Sequence, residues 1–177
     1  MRELIATLVA QQGRIFEMLQ FDERPRLRRP VHPTRLSKLE AWFASLDCEL
    51  PQSYRAFLSE CDGIENFCLS YHLFGSPELL APDYPETCRR AARAFPRDDA
   101  GANNALVLIG SDPETTNRLF FDTQHELLLP NELVVFDGQP GQWEFHTSFE
   151  SFLEFRVTVN EITIARIAHL RDGTQSE

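Results

Sequence analysis

The sequence predicts an α+β fold: a single twisted, largely antiparallel sheet with helices packed against it, preceded by an extra N-terminal helix. Three observations predict it. Apolar residues recur at spacings of three and four through the first third of the chain, as on helices with one buried face. From Ala105 onward, short apolar and aromatic runs alternate with Asp, Pro and Gly turns, as in strands joined by hairpins. At Ser148 helical spacing returns through Phe149, Phe152 and Leu153. Two antiparallel helices joined by the short Cys48–Leu50 connection present a shared apolar face, which needs a sheet to cover it.

A chain of 177 residues suits one domain, burying about 70% of its unfolded surface without metal or disulfide support. Residues 1–33 form an amphipathic helix and a basic, proline-rich connector, and residues 34–177 form the α+β domain. The composition, 42% hydrophobic and 25% charged, is ordinary for a folded domain. No apolar run approaches the roughly 20 residues that span a bilayer, and the N-terminus lacks the pattern of a secretory signal. A cytoplasmic location without membrane contact is therefore expected. Cys48, Cys61, Cys68 and Cys88 show no C-x-x-C spacing, so structural zinc is not expected, and Cys61, on the apolar face of its helix, reads as a small buried hydrophobe.

Residues 3–19 place Leu4, Ile5, Leu8, Val9, Ile15, Phe16 and Leu19 on one helical stripe, which can dock on the domain or mediate self-association, docking being the commoner outcome. DERPRLRRPVHP, with Pro25, Pro30 and Pro33, cannot continue that helix and reads as an extended, solvated arm able to touch an acidic surface. Thr34 is the expected cap of a helix striped by Leu36, Leu39, Trp42, Phe43 and Leu46. Pro51 suits the first turn of the next helix, where its missing N–H costs nothing. Tyr54, Phe57, Leu58 and Cys61 then share one face, and Gly63 is expected to close the helix in a left-handed conformation. Tyr54 reads as a packed tyrosine whose hydroxyl finds a partner.

Phe67 to Phe74 reads as one strand, followed by a brief helix with Ser76 as cap, Pro77 in its first turn and an early Glu78. Pro85 to Ala94 is a further helix, with Arg89, Arg90 and Arg93 on its wetter side, and RDDAGANN after it is a loop. Strands are expected at Ala105–Gly110, Arg118–Asp122, Leu133–Phe136 and Trp143–His146. Turns are expected at Asp112-Pro113-Glu114 and at Asp137-Gly138 with Gln139-Pro140-Gly141. Ser148 caps the closing helix. Beyond it, RVTVNEITIARI is β-branched enough that residues 157–170 are open to a long helix or a terminal strand, with helix preferred.

Four stretches carry a family resemblance. LPQSYRAFLSECDG from Leu50 resembles the L-P-x-x-Y-x-x-F-L helix and Asp-Gly turn of the SUKH superfamily. LFGSPELL from Leu73 resembles its Leu-Phe-Gly strand-to-helix segment. LVLIGSD with RLFFDT resembles its central hairpin, and HTSFESFLEF resembles its last strand and closing helix. They fall in the family's order over roughly Leu36 to Phe155. The matching residues, Leu50, Pro51, Tyr54, Phe57, Leu58, Gly63, Leu73, Phe74, Gly110, Asp122, Ser148, Phe149, Phe152 and Leu153, look architectural.

No catalytic constellation is evident. The five histidines, His32, His72, His125, His146 and His169, form no H-x-x-x-H or H-E-x-x-H pair, and G-x-S-x-G, P-loop and G-x-G-x-x-G patterns are absent. Asp98 and Asp99 with Asn103 and Asn104 lack EF-hand order, so neither metal nor cofactor is expected. Only a site assembled from distant residues would make this a small hydrolase or transferase.

Charge is the informative part of the composition. Residues 1–40 carry 8 Arg/Lys and 5 Asp/Glu, a net of +3, and residues 41–177 carry 9 and 22, a net of −13. Such a surface repels nucleic acid and steers basic proteins toward it. The family resemblance implies a bacterial immunity protein that binds and neutralises a toxin, often a nuclease. A cationic nuclease groove is a fitting target for an acidic domain. The expected contact residues are among Asp62, Glu65, Glu78, Asp83, Glu86, Asp98, Asp99, Asp112 and Glu114. A scaffold or regulatory adaptor, as eukaryotic members of the superfamily appear, is the alternative.

Overall fold

A computed structural model of the chain describes residues 1–92, 106–115, 117–123, 134–139 and 142–174. Its helices are α1 (Arg2–Leu19), α2 (Pro33–Ala44), α3 (Gln52–Glu60), α4 (Ser76–Leu79), α5 (Tyr84–Ala92) and α6 (Phe149–Thr174). Its strands are β1 (Arg26–Leu27), β2 (Ile64–Cys68), β3 (Tyr71–Leu73), β4 (Leu106–Ser111), β5 (Arg118–Asp122), β6 (Val134–Gln139) and β7 (Gln142–His146). The strands form one antiparallel sheet in sequence order. Every neighbour in space is thus a neighbour in the strand sequence, although α4 and α5 intervene between β3 and β4.

The core forms where α3 and α6 lie on the sheet. Tyr54 packs edge-on to Phe121 of β5 and Phe149 of α6, and Phe57 meets Phe149 in the same way. These rings are fully buried. The Tyr54 hydroxyl donates to the carbonyl of Phe74 at 2.7 Å, the partner expected for it. Because β3 is short, part of the β4 edge is left without a strand. Helix α5 covers it: the Tyr84 hydroxyl donates to Leu108 O and the Cys88 thiol to Leu106 O.

The α1 helix docks as expected, with Ile5, Leu8, Ile15 and Phe16 buried, although Leu19 stays exposed. Its main partner is α6. Gln11 meets Glu161 and Arg171 meets the Met18 carbonyl, so the contacts run in the same direction along both helices. This packing settles residues 157–170 as helix, supplying from α1 the apolar cover that β-branched propensity lacks.

Several local expectations are corrected. The connector contains β1, which pairs with β2, and its backbone bonds to Leu58, Asp62 and Gly63. The cap of α2 is His32, whose Nδ1 accepts from the Thr34 N–H, with Pro33 in the first turn. Helix α3 ends at Glu60 with Cys61 already extended, so Gly63 serves the following turn instead. Phe67–Phe74 is split by a two-residue turn at Leu69-Ser70, whose first residue has a φ of 56°. No glycine or asparagine marks that turn, which is why apolar continuity concealed it. Gly75, not Ser76, precedes α4. Asp137-Gly138 lies within β6 at a register shift, the connection to β7 falling two residues later. Arg93, the RDDAGANN loop, Ala105 and Leu133 lie outside the described residues. Ser148 does cap α6: its Oγ accepts from the Ser151 N–H, while Ser151 Oγ accepts from the Ser148 N–H.

Candidate partner-binding surface

At one end of the sheet the chain crosses itself closely. The turn after α3 passes so near Leu73–Ser76 that a Cβ on Gly75 would lie 2.0 Å from the Asp62 carbonyl oxygen. Gly63, at φ 100°, would place one 2.9 Å from the Leu73 carbonyl oxygen. This approach brings the Asp62 carboxylate, 6% exposed, onto the first turn of α4. Its two oxygens accept from the Ser76 N–H and the Ser76 hydroxyl, so Asp62 caps α4 from another loop. Glu78 reaches back to the Gly75 N–H at 2.9 Å and pairs with Arg28, which also pairs with Glu65 at 3.1 Å. Burial disfavours the Arg28 charge, but Glu78 and Glu65 outweigh it and raise its pKa.

The other end of the sheet carries a second clamp. Asp112, 8% exposed, accepts from Ser70 Oγ at 2.7 Å, the Glu114 N–H at 2.9 Å and Thr115 Oγ1 at 2.8 Å. It ties the β2–β3 hairpin tip to the β4–β5 connection. Burial pushes its carboxyl up, yet the donors from Ser70, Glu114 and Thr115 prevail and hold it below the usual range.

The nine candidate acids are therefore not one surface. Asp62 and Asp112, expected on loop edges, are instead buried and engaged by donors, because their loops turn inward to cap backbone groups. Glu65 and Glu78 are half-buried around Arg28. Asp83 and Glu86 are exposed at the start of α5, with Glu86 3.4 Å from Arg89, and Glu114 is exposed beside the Asp112 clamp. Asp98 and Asp99 lie outside the described residues.

Beside Glu114 the fold opens a groove of about 740 Å³. It runs between the end of α1, the β2–β3 tip, the β4–β5 connection, β7 and α6. Glu23 and Glu144, which the sequence did not single out, face it with Glu114, and Phe21 and Leu69 add apolar surface. Glu23 belongs to the connector and Glu144 to a strand 121 positions later; only the topology joins them. Behind Glu144, His146 packs on Phe152 and Phe155, with Nε2 3.8 Å from the Glu144 carboxylate. Burial lowers the His146 pKa, Glu144 opposes this, and Arg156 adds to the lowering.

Among the described residues, no group of three or more His, Cys, Asp or Glu is placed to hold a metal ion. His72 Nδ1 accepts from the Asn66 N–H at 3.0 Å, a structural bond like that of His32. Cys61 is pushed up to about 12 by burial, the opposite of an activated thiol. Also among the described residues, no helix is long and apolar enough to cross a membrane.

These features define a single-sheet α+β protein in which the buried carboxylates Asp62 and Asp112 are engaged by the fold itself. The chain belongs to the SMI1 / KNR4 family (SUKH-1), whose model matches residues 30–155, from the end of the connector into α6. That span contains all four resembling stretches, the Gly75 crossing and both carboxylate clamps. No curated protein matches the chain.

Proposed function

We propose that this protein is a non-enzymatic binding module that neutralises a basic protein toxin, in the manner of bacterial immunity proteins, by occupying a cationic surface the toxin needs. Membership of the SUKH-1 family over residues 30–155 carries the reading. The net of −13 over residues 41–177 supports a basic partner, and a nuclease is the favoured toxin class because its phosphate substrate requires a cationic groove. Within this reading the contacts come from Asp83, Glu86, Glu114, the outer edges of Glu65 and Glu78, and Asp98 and Asp99. Asp62 and Asp112 hold the loops that present them.

The test is co-expression with the product of the adjacent gene, followed by co-purification and binding kinetics at two salt concentrations. A stoichiometric complex that abolishes the partner's toxicity, with association slowed by salt, is the expected result. Tight binding insensitive to salt would retain neutralisation but reject the acidic surface. Absence of any protective complex would overturn the reading in favour of a scaffold or adaptor.

A further inference from the structure

The acids of the groove are set around exposed apolar side chains. Phe21 is 43% exposed and Leu69 is 44% exposed, and both line it. Neither is a loose side chain. Gln20, at φ 60°, ends α1 with its N–H on Glu17 O and the Phe21 N–H on Phe16 O, while the Phe21 ring meets Phe16 edge-on at 6.0 Å. That is a Schellman closure with its usual apolar contact, and it fixes Phe21 at the groove wall. Leu69 occupies the first position of its two-residue turn at φ 56°, where glycine is the ordinary choice. The hairpin thus holds an exposed leucine in a backbone conformation that L residues disfavour.

The charge around this apolar pair has one dominant sign. Among the described residues, Glu23, Asp112, Glu114 and Glu144 line the groove against one guanidinium, Arg156, a net of −3 with histidine not counted. Arg156 donates to Cys68 Sγ at 3.2 Å.

We infer that this groove docks a protruding segment of a basic partner, one that presents an apolar side chain flanked by lysine or arginine. The apolar side chain seats between Phe21 and Leu69, and its cationic neighbours meet Glu23, Glu114 and Glu144. Electrostatic complementarity sets the approach, and the apolar contact sets the residence time. The identity of the partner rests on the toxin-neutralising reading. The chemistry of the groove does not.

The test uses the full chain, isotope-labelled and titrated with a short synthetic peptide alternating lysine and leucine, and with the same peptide acetylated at every lysine. Expected are amide shifts concentrated at Leu69, Ser70, Glu114 and Asn117, lost on acetylation. Leu69→Gly should weaken binding about tenfold, the loss of one buried leucine contact. The triple change Glu23→Gln, Glu114→Gln and Glu144→Gln should slow association about tenfold at low salt while thermal stability holds. Shifts centred on Asp83 and Glu86 would overturn the inference, as would no groove response, or an equal response to the acetylated peptide. A rise to twice the mass with the same amides perturbed would give the groove to a second copy and overturn it too. Should a toxin complex form and ignore both sets of substitutions, the groove is refuted while neutralisation stands. Should the peptide bind the groove while no toxin is found, the inference holds and the functional reading falls.

Discussion

The two ends of the sheet use carboxylates differently. At the α4 end the buried Asp62 and the half-buried Glu65 and Glu78 are matched by Ser76, Gly75 and Arg28. At the groove end one carboxylate, Asp112, is matched internally, and Glu23, Glu114 and Glu144 are arrayed around an opening. A net charge of −13 therefore does not describe a uniformly sticky surface. An acid held by internal donors contributes to stability, and one left facing water contributes to the field that a partner feels.

Substitutions can break this contrast, and the largest effect is expected at the crossing. Gly75→Ala places a Cβ 2.0 Å from a backbone oxygen that cannot swing away, so the loop and α4 must separate. A loss of more than about 3 kcal/mol in urea unfolding, or no soluble protein, is expected. Asp62→Ala strips α4 of its external cap and leaves the Ser76 N–H buried without an acceptor, an expected loss of about 2–3 kcal/mol. An equal loss from Glu114→Ala would erase the distinction between the two kinds of acid.

Asp112 sharpens the contrast through pH. Its carboxyl is held below the usual range in the folded protein, so folding is favoured by its ionised form. That contribution is complete above the unfolded pKa of about 3.9 and disappears as pH falls through the lower folded value. Asp112→Ala should therefore destabilise the protein by about 1–2 kcal/mol at pH 7, a gap that narrows in acid unfolding experiments. The smallest effect is at Leu69. Leu69→Gly relieves the left-handed strain, and thermal denaturation should show a gain of about 0.5–1 kcal/mol. A loss there would mean that the leucine serves the fold rather than the groove.

The sequence made the architecture legible where one residue answers to one local rule. The Tyr54, Phe57 and Leu58 face, the Ser148 cap and the apolar run of β4 all behave as their spacing and chemistry demand. The extra helix docked as its stripe required. Legibility failed where a residue's role depends on distant chain. Asp62 looked like a loop acid and is a cap for a helix fourteen residues on. Gly75 sat within a resembling stretch, but nothing local says that another backbone lies against it. The groove was invisible for the same reason, since Glu23, Glu114 and Glu144 belong to three unrelated segments. The Leu69-Ser70 turn was hidden because its residues break the usual turn chemistry.

The clasp between α1 and α6 bears on how the molecule is made. When the ribosome has finished α1, the helix that covers its apolar stripe has not yet been translated, and Arg171, which reaches Met18, follows about 150 residues later. At elongation rates of about 5–20 residues per second, the α1 stripe waits roughly 7 to 30 seconds for that cover. During that interval Ile5, Leu8, Ile15 and Phe16 are available to chaperones or to neighbouring nascent chains, and the arrival of α6 ends that availability.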